Sequence, residues 1–183
     1  GTTLSIAQGY TKTFSGDIKP NGSCVKNTSI LAPGTTTFSK NSGTIDIEYV
    51  KLENIHATGG ATFNAQNSQD LGNNPGWNFT SPNPRTLYWV NSTGVWHDTT
   101  NWSLSSGGPA GECPPTQYDN VIIDQNSGNC GTISYGASPD TIAKCHDLTW
   151  QKNMACPMTM TGNYTLEIHG SLDLDDDVDL TTE

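Results

Sequence analysis

The feature that most constrains this chain is a two-residue hydrophobic alternation in short pieces. Leu4 and Ile6 alternate with polar residues, as do Ile45, Ile47 and Tyr49, then Tyr164, Leu166 and Ile168, with Leu172 and Leu174 beyond. Alternation over four to eight residues is the mark of a half-buried β-strand. Between these runs lie Pro33-Gly34, Gly59-Gly60, Asn73-Asn74-Pro75-Gly76, Gly107-Gly108-Pro109 and Cys113-Pro114-Pro115, all turn formers. No stretch carries an apolar stripe of helical period. The expectation is an all-β chain with little or no helix.

Composition agrees. Only 14% of the 183 residues are charged, against roughly 25% in an average soluble domain. Glycine, threonine, serine and asparagine make up the difference. No run of about 20 apolar residues offers a membrane span, and no charged-then-apolar leader opens the sequence.

Charge is uneven along the chain. Residues 1–86 hold six basic and five acidic side chains, net +1; residues 87–183 hold two and thirteen, net −11. So acidic a chain repels nucleic-acid phosphates and anionic lipid, and no basic patch compensates. Divalent cations are the more natural partner.

A composition shift divides the chain. Residues 1–79 form one part, 80–86 (Thr-Ser-Pro-Asn-Pro-Arg-Thr) read as a short, stiff, solvated linker, and 87–183 form a second part, which opens with Trp89, Trp96 and Trp102. An internal repeat relates the two ends. Shifted by 154 positions, Leu4 meets Met158, Ile6 meets Met160, Tyr10 meets Tyr164 and Thr11 meets Thr165. Phe14 then meets Ile168, Gly16 meets Gly170 and Ile18 meets Leu172, although Lys12 against Leu166 does not match. The physical reading is a sequence that begins inside one copy of a module and ends inside the next. Two architectures fit: a β-solenoid of stacked parallel rungs, or small antiparallel sandwiches in tandem. The lone Asn21-Gly22, a poor hairpin, favours the solenoid.

The five cysteines, 24, 113, 130, 145 and 156, contain no CxxC pair, which argues against structural zinc. They read as disulfides in an oxidising, extracytoplasmic setting, with buried free thiols as the alternative. Cys113, Cys130, Cys145 and Cys156 sit at separations suited to local loops; the expected pairs are Cys113–Cys130 and Cys145–Cys156, with Cys24 left over, either free or paired with a segment outside this sequence.

Two segments carry a resemblance. One runs Ala57-Thr58-Gly59-Gly60-Ala61-Thr62-Phe63-Asn64-Ala65 and on through Asp70-Leu71-Gly72-Asn73-Asn74 to Gly76-Trp77-Asn78-Phe79. The other holds Tyr88-Trp89-Val90, Gly94-Val95-Trp96, Asn101-Trp102-Ser103 and Asp119-Asn120-Val121-Ile122-Ile123-Asp124. Together they resemble the tandem modules of giant Bacteroidetes cell-surface proteins, including the gliding-motility adhesins exported by type nine secretion. The resemblance implies a secreted, filamentous, surface-attached adhesin without a catalytic centre, whose partners are an extracellular surface or polysaccharide and neighbouring modules of its own chain. It also makes Asp98-Thr99-Thr100 and Asp140-Thr141-Ile142 similar to the glycosylation sites of such proteins.

Trp77, Trp89, Trp96 and Trp102 have two readings. Alternation sends Trp77 and Phe79 to one face, where aromatics close the end of a stack; the alternative is a platform of exposed Trp and Tyr for sugar rings, as in a carbohydrate-binding module. No hydrolase elbow, zinc-protease motif, phosphate loop or dinucleotide fingerprint is present. His56, His97, His146 and His169 lack ligand spacing and read as surface or rim residues. Asp119, Asp124 and Glu167 are carboxylates of the type a glycosidase pairs across a cleft, but acids abound in this half. In Leu172–Leu180 the apolar residues share one parity, and Asp173, Asp175, Asp177 and Asp179 share the other. Same-face neighbours about 7 Å apart repel by under about 1 kcal/mol in water, so a solvated edge costs little. Calcium held by Asp173, Asp175 and Asp177 is the sharper expectation. Ice binding through Thr35-Thr36-Thr37 or Thr159-Met160-Thr161 lacks the fixed rung period it needs.

Overall fold

The structure, a computed structural model, describes residues 1–20, 22–128, 131–135, 142–151, 158–163 and 165–175. The described residues are all-β: strands joined by turns, with one 3-10 turn at Thr99–Asn101 and no α-helix. No helix among them is long and apolar enough to cross a membrane. The chain divides into two compact units, Gly1–Pro82 and Asn83–Glu183, each with its own apolar core. The division falls inside residues 80–86.

Unit 1 contains β1 (Thr3–Ser5), β2 (Thr11–Thr13), β3 (Thr28–Lys40), β4 (Thr44–Glu48), β5 (Val50–Gly59), β6 (Thr62–Gln66), β7 (Gln69–Asp70) and β8 (Trp77–Thr80). β1 and β2 both pair with β3, which pairs with β5 and then β7; a second sheet runs β4-β6-β8. Every one of these pairings is parallel. Parallel sheets covered on both faces read as continuous apolar runs. Here the strands alternate instead, with one face inward and the other in water. In β4, Ile45 and Ile47 are buried while Thr44, Asp46 and Glu48 are exposed. Burying each isoleucine is worth about 1.5–3 kcal/mol.

Like sits on like along the stack. Ile45 lies over Phe63 and Phe63 over Trp77; Ile47 lies over Ala65 and Ala65 over Phe79. Phe63 and Trp77 meet edge to face, centroids 5.1 Å apart. At the corner after β5, Gly59 has φ +100, and a Cβ there would stand 2.2 Å from the Lys40 carbonyl oxygen, so only glycine fits. Pro33-Gly34, expected as a turn, lies within the 13-residue β3. There the register with β5 slips between Leu31 and Thr36, so the extra residues bulge instead of reversing the chain.

Unit 2 contains β9 (Thr86–Trp89), β10 (Gly94–Val95), β11 (Trp102–Ser103), β12 (Asn120–Ile123), β13 (Thr132–Tyr135), β14 (Ala143–Cys145), β15 (Leu148–Trp150), β16 (Thr159–Gly162), β17 (Leu166–Ile168) and β18 (Leu172–Leu174). Its sheets run β11-β9-β12-β15-β18, β10-β13-β16 and β14-β17. Leu87, Val121, Leu148 and Leu172 form one register column, and Ile133 lies under Met160. Antiparallel pairing, the basis of a sandwich, is confined among the described residues to β9 with β11 and an isolated bridge between Ser23 and Lys26.

Three expectations need correction. Alternation puts Leu172 on the apolar face of its strand, where burial is expected, but it is 48% exposed, because β18 is an edge strand with nothing paired beyond it among the described residues. Leu4, in the edge strand β1, is 53% exposed for the same reason. Residues 80–86 are not solvated throughout, because Arg85 is tied into unit 2.

Candidate functional site

The tryptophans are core residues. Trp89, Trp96 and Trp102 are fully buried, Trp150 is 6% exposed and Trp77 8%. The first three form one cluster, with Trp102 edge-on to Trp89 and Trp96 at 5.2 and 4.9 Å. Trp102 Nε1 donates to the Trp96 carbonyl at 2.7 Å and Trp89 Nε1 donates to the Asn91 carbonyl, whereas Trp96 Nε1 is buried with no partner. Asn101, 3% exposed, knits the loop: its Nδ2 donates to the Val95 carbonyl and its Oδ1 accepts from Asn91 Nδ2, both at 2.8 Å. A Cβ on Gly94 would stand 2.5 Å from the Asn101 amide, so glycine is required by close approach. A sugar platform needs an exposed indole face. None of the five indoles provides one.

The three candidate carboxylates all have structural partners. Asp119, with no exposure, accepts from the Arg85 amide, Nε and Nη2 (3.0 Å each) and from the Thr116 amide and hydroxyl (2.8 Å each). Burial drives its carboxyl up, but these bonds and the guanidinium charge outweigh that and hold it below the ordinary value. Asp124 closes a turn, accepting from the Asn126 amide at 2.9 Å. Glu167 is held below its usual value by Lys144 at 3.0 Å, with His169 at 3.4 Å adding to it. Each acid is committed to structure, which is not the arrangement of a general acid poised at a cleft.

Asp173 is exposed on β18, paired in register with Thr149, and the Asp175 amide donates to the Trp150 carbonyl at 3.1 Å. Asp177 and Asp179 lie outside the described residues, and among those described no three His, Cys, Asp or Glu gather as a metal site. Cys24, expected to be left over, is disulfide-bonded, as is Cys113. Cys145 is a buried free thiol, so the expected Cys145–Cys156 bridge is not formed. Its strand β14 turns the side chain into the core, where burial first and Asp147 second push the thiol up to about 12. Cys130 and Cys156 lie outside the described residues. His97 is half-buried rather than on a rim. Its Nε2 lies 3.4 Å from the Ile142 carbonyl, and burial lowers its pKa against that bond. Asp98 accepts from the Thr100 amide at 2.9 Å and caps the 3-10 turn; Asp140-Thr141 is not described.

What sequence reading missed is the outward face. Asn64 Nδ2 donates to Asp46 at 2.7 Å and Asn78 Nδ2 to Asn64 at 3.1 Å, a ladder across β4, β6 and β8. Asn73 Nδ2 donates to Asn54 at 2.8 Å and its Oδ1 meets His56 at 3.1 Å. Asn54 and Asn73 both hold φ near +60 (59 and 57), a conformation asparagine tolerates. In unit 2 the hydroxyls of Thr132 and Thr159 meet at 3.1 Å. The steps along the first ladder differ (46 to 64, then 64 to 78), so no fixed period announces it in the sequence. These rows present stacked amides, hydroxyls and a carboxylate to solvent.

Compared with protein-family models, curated proteins and solved structures, the chain matches none.

Proposed function

We propose that this chain is a non-catalytic structural and adhesive repeat of a filamentous bacterial surface protein, a β-solenoid-like spacer that offers its outward ladders as contact surface. The observation that carries the reading is the combination of parallel rungs stacked like on like with polar ladders on their outer face. Such stacks are quasi-one-dimensional, each rung leaning on its neighbours, which suits a spacer under tension. Disulfide-bonded Cys24 and Cys113 support an oxidising, extracellular setting. The partner is an extracellular surface or polysaccharide, the setting the cell surface with attachment at the outer membrane, and the chemistry of contact is hydrogen bonding by amides and hydroxyls.

The experiment is retention under flow. Beads coated with the full chain are washed over polysaccharide-coated and bare hydrophilic surfaces, beside beads carrying an unrelated acidic protein. Greater retention of the coated beads is expected. Equal retention on every surface sinks the adhesive half of the reading, and turnover of a chromogenic glycoside or ester sinks the non-catalytic half.

A further inference from the structure

The first rung of unit 1 is an open end. β1 and β2 pair with β3 alone among the described residues. Leu4, Ile6, Phe14 and Ile18, with Ile30 and Phe38 of β3, line an open groove of about 570 Å³. Ile6 and Phe14 donate their amides to the carbonyls of Leu31 and Ser39, at 2.8 and 2.9 Å. By strand alternation the amides of Ser5, Ala7 and Thr13 therefore point to the open side. A strand edge beside an apolar groove is a template for another strand.

Unit 2 holds an equivalent rung that is seated. Shifted by 154 positions, Ile6, Phe14 and Ile18 become Met160, Ile168 and Leu172. Those three lie in register on Ile133, Cys145 and Leu148 of the preceding rung. The hydrogen bonds follow the same correspondence. The amide of Thr159, equivalent to Ser5, donates to the Gly131 carbonyl at 2.9 Å. Those of His169 and Gly170, equivalent to Ser15 and Gly16, donate to the carbonyls of Cys145 and His146 at 3.0 and 2.7 Å. The Leu148 amide donates to the carbonyl of Ser171, the equivalent of Asp17, at 2.9 Å. Lys12 and Pro20 stand where Leu166 and Leu174 do, so Ile6, Phe14 and Ile18 carry the match. Charge is compatible with this occupant: residues 1–86 carry net +1 and residues 87–183 net −11, so no like-charge repulsion opposes it.

We propose that the open face of the first rung is a seat for strands β13, β14 and β15 of a second copy of this chain placed before it in tandem. Ile133, Cys145 and Leu148 of that copy lie against Ile6, Phe14 and Ile18. In the preceding copy, residues 4–18 of its successor take the place that its own 158–172 holds in the single chain. A separate folded copy already has that place filled, so the seat is used through chain continuity and not by free association. The inference rests on the tandem part of the proposed function, and not on adhesion.

The test fuses residues 1–157 of one copy directly to residues 4–183 of another, with the second part isotope-labelled, and follows amide hydrogen exchange beside the single chain. Expected is exchange of Ser5, Ala7 and Thr13 slower by roughly tenfold or more, as for a ladder amide against an open edge. Ile6→Asp in the second part is expected to abolish that slowing while Leu52 and Ile55, in the core of unit 1, stay protected. Unchanged edge exchange with Leu52 and Ile55 protected overturns the proposal. So does edge protection that grows with concentration of the single chain, because the seat then takes a free copy. Loss of bead retention with slowed edge exchange rejects the adhesive reading and leaves the seat standing.

Discussion

Arg85 grips Asp119 through three nitrogens, its amide and Nε on Oδ1 and its Nη2 on Oδ2, each at 3.0 Å. The pair pins the start of unit 2 to the turn at Thr116. Removing the carboxylate by Asp119→Ala is expected to cost about 2–4 kcal/mol, because the guanidinium loses its main acceptor and the Thr116 amide is stranded. Urea denaturation at neutral pH measures it. The pH dependence follows from the depressed carboxyl. An unfolded aspartate titrates near about 3.9, so the stabilisation is complete above that value and drains away as pH falls through the lower folded one. Asp119→Asn is expected to flatten the acid limb of the stability profile. An unaltered limb contradicts the assignment.

The indole bonds separate two tryptophans of equal burial. Trp102→Phe deletes the bond to the Trp96 carbonyl, whereas Trp96→Phe removes an N–H that has no partner. Trp102→Phe is expected to be the more destabilising by about 1 kcal/mol, read from urea midpoints by circular dichroism. The reverse order would mean that the cluster is held by ring packing alone.

Two asparagines divide structure from contact. Asn74, 7% exposed, accepts from the Ile55 amide at 2.8 Å and donates to the Leu52 carbonyl at 2.9 Å. Asn74→Ala is expected to cost about 1–3 kcal/mol. Asn78 lies on the exposed ladder, so Asn78→Ala is expected to stay within about 0.5 kcal/mol while lowering bead retention.

The Cys145 thiol is buried and raised to about 12. The native protein is expected to leave Cys145 unlabelled by iodoacetamide at pH 8 and to label it on unfolding, with mass mapping of the peptide as the readout. An unfolded thiol ionises near about 8.5, so the stability linked to this group is full below that pH and declines as pH rises toward the folded value. Rapid labelling in the native state contradicts the burial.

Local pattern made the strands legible. Ile45 and Ile47 announce their face because period two needs only near neighbours, and Trp77 with Phe79 follows the same rule. The 154-residue correspondence was visible because each rung alternates inward and outward residues, so two copies of one rung show the same pattern of apolar positions. Leu172 misled, since alternation gives a face but not whether another strand covers it. Pro33-Gly34 misled because a bulge and a turn use the same residues. The state of each cysteine and the Asp46–Asn64–Asn78 ladder depend on which rungs adjoin. That is a long-range property which unequal rung lengths hide.

Single-molecule pulling of the full chain from its two ends, with disulfides reduced, tests most directly whether weight is borne by stacked rungs. In unit 1, Leu4, Ile30, Leu52 and Asp70 share one column, with spacings of 26, 22 and 18 residues (4 to 30, 30 to 52, 52 to 70). At about 3.4 Å per extended residue, release of one rung lengthens the chain by roughly 60–90 Å. A series of such increments is the expected result. One all-or-none extension of each whole unit would contradict it.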